Sequence, residues 1–190
     1  MTPARPPNGR VDRFEQVYRS TRNEILAYLL RRTPQREDAA DVLAEVYLTT
    51  WRRFDDLPQG DDARLWLYGT ARRALANHRR RDRTGRGIAD RLRDELRSSD
   101  AARTTLEATD ANVVAVHEAL AALDADPREL LTLTAWEGLT PRDIAVMTGA
   151  TPATIRVRLH RARAQLKVEL ARRGVETGDE PVALLADTAR

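Results

Sequence analysis

Arginine side chains crowd one end of the stretch TPRDIAVMTGATPATIRVRLHRAR, residues 140–163. Four of its five arginines lie within the last eight residues. A guanidinium group presents a planar fork of N–H donors that fits phosphate oxygens and the edge of guanine. A GC-rich genome would raise the arginine content as well. Arginine content alone therefore does not indicate nucleic-acid binding, and the positions of these side chains decide.

Two helices are predicted to begin close together in this stretch. Thr140 and Thr151 are each followed by proline, a residue that suits the first position of a helix. Asp143 completes a capping box with Thr140. Gly149 lies between the two starts and permits a sharp turn. A short helix, a glycine turn and a longer helix to about residue 172 form the pattern of a helix-turn-helix.

The longer helix divides into an apolar face and a cationic face at about 100° per residue. Its predicted buried residues are Ile155, Leu159, Ala162 and Leu166. The opposite face combines arginines with small residues, which would let the helix approach DNA closely. An ordinary solvated helix surface is the alternative, but it leaves the two capped starts unexplained. We expect Arg156 and Arg161 at base edges and Arg163 at a phosphate. The candidate DNA-binding residues are Thr151, Thr154, Arg156, Val157, His160, Arg161 and Arg163.

Apolar spacings of three and four recur along the chain, which predicts an all-α fold of two small helical domains joined by a flexible linker. The linker is assigned where apolar content drops and glycine, serine and charge increase. The predicted segments are a disordered N-terminus at 1–10, a first domain at 11–81, the linker at 82–110, a second domain at 111–173 and an acidic tail at 174–190.

The first domain is predicted to contain three helices. They lie at about residues 11–32, 34–54 and 63–81, with a loop at 55–62. Thr33 is the expected cap of the second helix, with Pro34 at its first position, and Trp51 is expected in its buried face. In the second domain, Asp126 and Glu129 predict a further capping box.

Charge is distributed unevenly, although the net charge is only +3. Residues 35–62 hold eight acids against three arginines. Residues 72–86 hold seven arginines against one acid, and residues 156–173 hold six arginines and one lysine against one acid. One acidic segment therefore lies between two cationic ones, which favours anionic partners at two places and a basic partner at one.

Residues for catalysis or metal binding are missing from the pattern. The chain has no cysteine, and His78, His117 and His160 are too far apart in sequence to form a metal-spaced cluster. A glycine-rich phosphate loop is also missing. We therefore expect no enzyme activity, no cofactor and no metal. No apolar segment is long enough for a signal peptide or a membrane span, so we expect a cytoplasmic protein without membrane insertion.

Three segments carry a resemblance to a known family. They are DAADVLAEVYLTTWRRF at 38–54, ARLWLYGTARRALANHRRR at 63–81 and PRELLTLTAWEGLTPRDIAVMTGATPATIRVRLHRARAQL at 127–166. The first two are similar to region 2, and the third to region 4, of the extracytoplasmic-function (ECF, group 4) sigma factors of the sigma-70 family. Their order and the intervening linker match as well. The resemblance implies a sigma factor that binds core RNA polymerase and directs promoter-specific transcription initiation at −10 and −35 elements.

The resemblance also implies roles for individual side chains. The helix at 34–54 would dock on the clamp helices of the largest polymerase subunit through Asp38, Asp41, Glu45 and Leu48. The next helix would hold the −10 element through Arg72, Arg73, Asn77, His78, Arg79, Arg80 and Arg81. Ala44 and Arg73 depart from the family, which often has Gln and Asn there. The helix-turn-helix would contact the −35 element, and an anti-sigma factor is an expected partner.

A helix-turn-helix transcriptional regulator that binds DNA without acting as a polymerase subunit is the alternative function. A regulator of the response-regulator type would need an α/β receiver or a ligand-sensing domain before its DNA-binding domain. Residues 11–81 have no strand pattern, which argues against that class. Recruitment of core RNA polymerase is the observation that separates the two functions.

Overall fold

The computed structural model of the chain describes residues 9–85, 111–175 and Leu185. These residues form two compact units. Each unit is built from α-helices, and no strand occurs among the described residues. The prediction of an all-α fold with two small domains is confirmed. Most of the predicted linker, residues 86–110, lies outside the described residues, and the predicted domain boundaries stay predictions.

The first unit contains three helices and one short 3-10 turn. The elements are α1 (Gly9–Leu30), α2 (Arg36–Arg52), the 3-10 turn (Phe54–Asp56) and α3 (Asp62–Gly85). α1 begins at Gly9, inside the segment predicted to be disordered. α3 continues past Arg81 to Gly85, because Asp82, Arg83 and Thr84 include neither glycine nor proline.

The start of α2 differs from the prediction. The helix begins at Arg36, and the side chain of the preceding Gln35 makes no capping hydrogen bond. The predicted cap, Thr33 before Pro34, is wrong. The Thr33 hydroxyl instead donates to the Leu29 carbonyl oxygen at 3.0 Å, where it satisfies the C-terminal end of α1.

The core of the first unit lies where its three helices pack together, and it mixes aromatic with aliphatic side chains. Tyr28 and Tyr68 pack edge to face, with ring centroids 5.4 Å apart. The hydroxyls of Thr21 and Tyr47 form a buried hydrogen bond of 2.9 Å between α1 and α2. Burial raises the pKa of Tyr47 to about 12. Other large buried side chains are Ile25, Leu29, Val42, Val46, Leu65, Leu67 and Leu75.

The segment between α2 and α3 is more ordered than the predicted loop at 55–62. Phe54 begins a 3-10 turn and is buried. The Arg13 guanidinium of α1 donates to the carbonyl oxygens of Leu57 and Pro58 at 2.9 and 2.8 Å. The 3-10 turn leaves only residues 57–61 as a loop, and these hydrogen bonds attach the start of that loop to α1.

Trp51 is 38% exposed, so its predicted place in the buried face of α2 is wrong. The buried positions here are occupied by Thr50 of α2 and by Phe54 of the 3-10 turn that follows it. The Trp51 ring packs against Phe14 at the rim, with centroids 5.2 Å apart. The Arg10 guanidinium lies 5.1 Å from the Trp51 centroid, a cation–π distance.

The second unit is organised around its last helix. Its elements are α4 (Ala111–Ala122), α5 (Ala125–Ala135), α6 (Pro141–Thr148) and α7 (Pro152–Arg172). α7 packs against each of the other three helices. The buried side chains are mainly aliphatic and include Val116, Leu120, Leu131, Leu133, Ile144, Leu159, Leu166 and Leu170. This core fixes which side of α7 remains accessible.

The start of α5 also differs from the prediction. Asp124 precedes the first helical residue, Ala125, and its side chain makes no capping hydrogen bond. Asp126 lies inside the first turn, so the predicted capping box of Asp126 with Glu129 is wrong. Pro127 fits at this position because an amide in the first turn has no helical partner.

One residue of the C-terminal tail belongs to the second core. Leu185 is fully buried among side chains of α4, α5 and α7. The Trp136 indole Nε1 donates to the Leu185 carbonyl oxygen at 2.9 Å. The other tail residues from 176 onward lie outside the described part of the chain. Leu185 therefore fixes one point of the tail to the unit that carries α7.

Candidate nucleic-acid interface

The turn between α6 and α7 has the geometry that the sequence predicts. The Asp143 amide donates to Thr140 Oγ1 at 3.2 Å, and the Thr140 amide donates to Asp143 Oδ2 at 2.9 Å. Gly149 ends α6 with a φ of 72°, in the left-handed region that favours glycine. Thr151 then caps α7 by accepting from the Thr154 amide at 3.2 Å. The predicted helix-turn-helix is confirmed.

α7 has one buried and one exposed face, as its periodicity predicts. The buried side consists of Ile155, Leu159, Ala162 and Leu166, each at most 1% exposed. The exposed candidates are Thr151, Thr154, Arg156, Val157, His160 and Arg161. Arg163 is half-buried, and its Nε has no hydrogen-bond partner among the described residues. The structure thus keeps the candidates off the buried side, with Arg163 at the margin.

The cationic face of α7 has no acid against it. Arg156 and Arg161 form no ion pair with any residue that the structure describes. The one acid of α7, Glu169, lies near the other end of the helix. It accepts from Arg172 at 2.5 Å and from Arg173 at 2.7 Å, and the bond from Arg173 lowers the pKa of Glu169. The charge of the exposed face is therefore available to a phosphate-bearing ligand.

The C-terminal half of α3 carries the second set of cationic candidates. The exposed members are Arg73, Asn77, Arg79, Arg80 and Arg81, and the half-buried members are Arg72 and His78. Arg79 donates to the Arg32 carbonyl oxygen at 3.0 Å, which ties this part of α3 to the end of α1. Consecutive residues 77–81 go around the helix, so only some of them can face one bound strand.

The polymerase-docking candidates of α2 lie in two rows. Asp41 and Leu48 form one row, and both are exposed, Leu48 to 55%. Asp38 and Glu45 form the other row, with side chains that are 18% and 36% exposed. Only the row of Asp41 and Leu48 is fully open to a partner.

The second row of α2 contacts the basic end of α3. Glu45 Oε2 accepts from Arg81 Nη2 at 2.5 Å. Asp38 Oδ1 lies 3.5 Å from His78 Nε2, which lies 3.3 Å from Asp82 Oδ2. His78 Nε2 has hydrogen-bond geometry with neither carboxylate, and both contacts are ionic only when the imidazole is protonated. The polymerase-docking candidates of α2 and the −10 candidates of α3 are therefore in contact, although they were predicted as separate sites.

Trp51 adds to the exposed side of α2, although it is not among the predicted site residues. It follows Leu48 by three positions, a spacing that places both side chains on neighbouring parts of one helix face. The spacing of three residues from Leu48 is the feature of the sequence that could have predicted the exposure of Trp51. Since Trp51 is 38% exposed, the apolar part of this face comprises two large side chains instead of one.

The described surfaces offer charge, hydrogen bonding and a small apolar area. Within residues 9–85 and 111–175, no group of three or more His, Asp or Glu side chains could hold a metal ion. In the same part of the chain, no helix has both the length and the apolar character that a membrane span requires. The predicted sites of α2, α3 and α7 are the surfaces on which these groups are concentrated.

Two protein-family models match the chain. The model described as Sigma-70 region 2 matches residues 17–84, which include the candidate residues of α2 and α3. The model described as Sigma-70, region 4 matches residues 114–166, which include the candidates of α7. Each match therefore falls within one of the two compact units.

Relatives with established names match most of the chain. "ECF RNA polymerase sigma factor SigL" of Mycobacterium tuberculosis is 30% identical over 157 residues, which cover 78% of this chain and 83% of the relative. "RNA polymerase sigma-E factor" of Streptomyces avermitilis is 25% identical over 169 residues, which cover 89% of this chain and 91% of the relative. The similarity extends over both units.

Two solved structures resemble the fold. CnrH in complex with the cytosolic domain of CnrY matches with a TM-score of 0.56 at 24% identity, covering 84% of this chain and 88% of that chain. The sigma factor RpoE of Bartonella quintana, in complex with the anti-sigma factor NepR, matches with a TM-score of 0.54 at 20% identity, covering 83% and 96%. At these identities the likeness is one of fold.

Proposed function

The chain belongs to the ECF sigma factors of the sigma-70 family, and we propose that its two domains recognise a promoter at two separate elements. As a sigma factor it binds core RNA polymerase and directs promoter-specific transcription initiation at −10 and −35 elements. The family consists of transcription initiation factors and is not a known enzyme family, so we assign no catalytic residue and no cofactor. We assign residues 11–81 to region 2 and residues 111–173 to region 4.

The exposed cationic face of α7 is the observation that carries the proposal for the −35 element. Arg156 and Arg161 are exposed and without an ion pair among the described residues, so their guanidinium groups can reach guanine edges in the major groove. Val157 and His160 lie between them and would supply apolar or single hydrogen-bond contacts. Thr151, Thr154 and Arg163 are assigned to phosphates, which fix the register of the helix on the duplex.

The exposed side of α2 is the proposed polymerase contact. Asp41 and Leu48 would meet the clamp helices of the largest subunit first, with Trp51 widening the apolar area. An acidic patch around an apolar centre suits a partner that presents arginine or lysine beside apolar side chains. Asp38 and Glu45 belong to the same contact, although α3 covers them in part.

The basic end of α3 is the proposed site for the melted −10 element. A cationic groove follows a single strand by its phosphates, independently of sequence. The residues assigned to it are Arg72, Arg73, Asn77, His78, Arg79, Arg80 and Arg81, of which only those on one side of α3 can face the same strand. Because Arg73 stands where the family often has Asn, we expect this chain to differ from its relatives in −10 preference.

An anti-sigma factor is the proposed inhibitory partner, and the proposed location is the cytoplasm. The sigma factor RpoE of similar fold has been solved with the anti-sigma factor NepR, and CnrH, also of similar fold, with the cytosolic domain of CnrY. The chain contains no cysteine, so a redox signal would have to be sensed by the partner.

Run-off transcription tests the proposed function. Core RNA polymerase is supplied with a genomic promoter library, with and without the protein, and the transcripts are sequenced. We expect the protein to co-elute with core polymerase and to produce start sites that core polymerase alone does not use. If it does not co-elute and the transcripts are unchanged while duplex DNA is still bound, the chain is the alternative, a regulator outside the polymerase.

Two variants separate the contacts within that experiment. Asp41→Lys places a positive charge on the open row of α2, so it is expected to weaken co-elution and leave binding of duplex DNA unchanged. Arg161→Ala is expected to preserve co-elution and reduce the selection of start sites. Both positions are exposed, so thermal unfolding of the variants should match that of the original chain. The opposite pattern would exchange the assigned roles of the two domains.

A further inference from the structure

Two ion contacts join the proposed polymerase site to the proposed −10 site within the first domain. Arg81 of α3 donates to Glu45 of α2 at 2.5 Å, and His78 of α3 lies 3.5 Å from Asp38 of α2. In each contact the acid is assigned to polymerase and the base to DNA. We refer to these two contacts as the α2–α3 ion pairs; the contact of His78 is an ion pair only when its imidazole is protonated.

The acids of the α2–α3 ion pairs cannot serve α3 and polymerase fully at the same time. The carboxylate oxygen that Arg81 occupies is an oxygen that an arginine or lysine of a docking partner would use. A phosphate of a bound strand likewise competes with Glu45 for the Arg81 guanidinium. Each external ligand therefore replaces one member of the same pair.

We propose that these pairs couple polymerase docking to single-strand binding. In the free protein, Glu45 of α2 accepts a hydrogen bond from Arg81, and Asp38 of α2 lies beside His78. When a basic partner takes Glu45 and Asp38, Arg81 loses its contact with Glu45 and its guanidinium can turn to the phosphates of the single strand, whereas His78 still lies 3.3 Å from Asp82 of its own helix. The inference rests on the proposed function, because it uses the assignment of α2 to polymerase and of α3 to DNA.

The accessibility of the pairs permits such an exchange. The Arg81 side chain is 62% exposed and that of Glu45 is 36% exposed, so both can be reached without unfolding. The Asp38 and His78 side chains are 18% and 16% exposed. Asp38 Oδ2 and His78 Nε2 are buried atoms that lack a hydrogen-bond partner among the described residues. Their incomplete bonding means that a new donor beside Asp38 would satisfy an oxygen that is now unsatisfied.

The expected coupling is modest and reciprocal. Exposed ion pairs contribute little, so loss of the Glu45–Arg81 pair should change single-strand affinity by about two- to fivefold. By linkage, a bound strand strengthens the binding of polymerase by the same factor by which polymerase strengthens the binding of the strand. The effect should shrink at high salt, where exposed charges are screened.

Asp41 provides a matched control on the same helix. It is an exposed acid one turn from Glu45, and it forms no ion pair with any described residue of α3. Asp41→Asn and Glu45→Gln each remove one negative charge while keeping the shape of the side chain. The difference between the two variants isolates the pair from the general effect of net charge.

The first test measures the free protein by fluorescence anisotropy with labelled single-stranded DNA of mixed sequence at low ionic strength. Glu45→Gln is expected to bind the strand about two- to fivefold more tightly than the original chain, and Asp41→Asn clearly less so. Arg81→Gln should weaken binding. Adding Glu45→Gln to Arg81→Gln should give no further gain, since the pair is already broken.

The coupling is rejected if Glu45→Gln and Asp41→Asn change the affinity for single-stranded DNA equally. It is also rejected if Glu45→Gln raises that affinity by the same factor in the Arg81→Gln background as in the original chain. A second measurement titrates core polymerase against the original chain with and without saturating single strand. The strand should tighten polymerase binding of the original chain but not of Arg81→Gln. If the original chain binds polymerase and these differences are absent, only the coupling fails. If it never binds polymerase, the proposed function fails as well.

Discussion

The basic segments of α3 and α7 carry similar charge but differ in the acids that lie beside their arginines. Residues 72–86 hold seven arginines and residues 156–173 hold six arginines and one lysine, each segment against a single acid. The exposed Arg156 and Arg161 of α7 face no acid in the described part of the chain. On α3, Arg81 and His78 contact acids of α2. Whether an arginine can bind an external anion therefore depends more on the acids of the neighbouring helix than on the number of arginines.

This difference fits the two forms of DNA that the domains are proposed to meet. Duplex DNA at a −35 element exists before polymerase arrives, and a face without competing acids can contact it at once. A single-stranded −10 element exists only after melting, which needs polymerase. Under the proposed coupling, pairing the basic end of α3 with acids would lower its affinity for other anions until polymerase is in place.

The largest expected effect concerns the support of α7 by the C-terminal tail. Leu185→Ala should destabilise the second domain by about 2 to 4 kcal/mol, because it removes a fully buried side chain from the core beside α7. The first domain should be unaffected. Amide hydrogen exchange in urea, followed separately for the two domains, measures both stabilities.

Val168→Ala is the matched control for the Leu185 variant. Val168 is 52% exposed on α7, so its truncation leaves no cavity and should cost less than about 1 kcal/mol. Equal effects of the two substitutions would show that Leu185 does not hold the second core, and the cationic face of α7 would then depend on α4 to α6 alone.

The next largest effect is expected on DNA sequence preference, from substitutions on the exposed cationic face of α7. Arg156→Ala or Arg161→Ala should each cost about 1 to 3 kcal/mol at particular base positions. Arg163→Ala should weaken all duplexes almost equally and lower the slope of affinity against salt by about one phosphate contact. Selection from a randomised duplex library, followed by titration at several salt concentrations, separates the two behaviours.

Arg73→Ala offers the comparison on α3. It lies on the other cationic segment, so it should leave duplex selection unchanged while the α7 variants alter it. A uniform loss from Arg156→Ala would contradict its assignment to a base edge and would place the whole face on the phosphate backbone.

A smaller effect is expected from the residues that precede α7 in the second domain and α2 in the first. Thr151→Ala should destabilise the second domain by about 1 kcal/mol, because the Thr151 hydroxyl accepts from the Thr154 amide at 3.2 Å. Gln35→Ala should change the first domain little, since Gln35 makes no capping hydrogen bond at the start of α2. Domain-resolved hydrogen exchange compares the two. A loss from Gln35→Ala as large as that from Thr151→Ala would be inconsistent with the observed caps.

The helix-turn-helix could be predicted from sequence because its signals are local. Thr140, Pro141, Asp143 and Gly149 act within a few residues of their own positions, so no knowledge of the rest of the fold is needed. The start of α2 was predicted wrongly because Thr33 lies between two helix ends and its hydroxyl can serve either one. A local pattern does not decide such a competition.

The remaining differences depend on contacts between distant parts of the chain. Trp51 lies at the rim since Thr50 and Phe54 fill the buried positions, which depends on how α2 packs against its neighbours. Leu185 joins the core of α4 and α7 from the end of the chain, and no spacing rule connects it to Trp136. The Glu45–Arg81 pair likewise required the packing of α2 against α3. The candidate residues could be listed from sequence, but not their mutual contacts.

The smallest expected effect lies at the C-terminal end of α7, where the second domain does pair its charges. Arg173 donates to Glu169 and lies 3.6 Å from Glu118 of α4, so this end is tied to α4, whereas Arg156 and Arg161, the proposed DNA contacts, form no ion pair with any described residue. The hydrogen bond from Arg173 lowers the pKa of Glu169 below its ordinary value of 4.5. The folded chain thus favours the ionised carboxylate more than the unfolded chain does.

Stabilisation by Glu169 should therefore be present above pH 4.5 and be lost as the pH falls through the lowered folded-state pKa. Thermal unfolding of the original chain and of Glu169→Gln, compared from about pH 6 to about pH 3, should differ slightly at the upper end and converge at the lower end. Binding of duplex DNA at neutral pH should be the same for both, because Glu169 is remote from Arg156 and Arg161 along α7. A change in duplex affinity would mean that the paired end of α7 influences its exposed cationic face. The difference between α7, whose exposed arginines face no acid, and α3, whose bases contact acids, would then not hold.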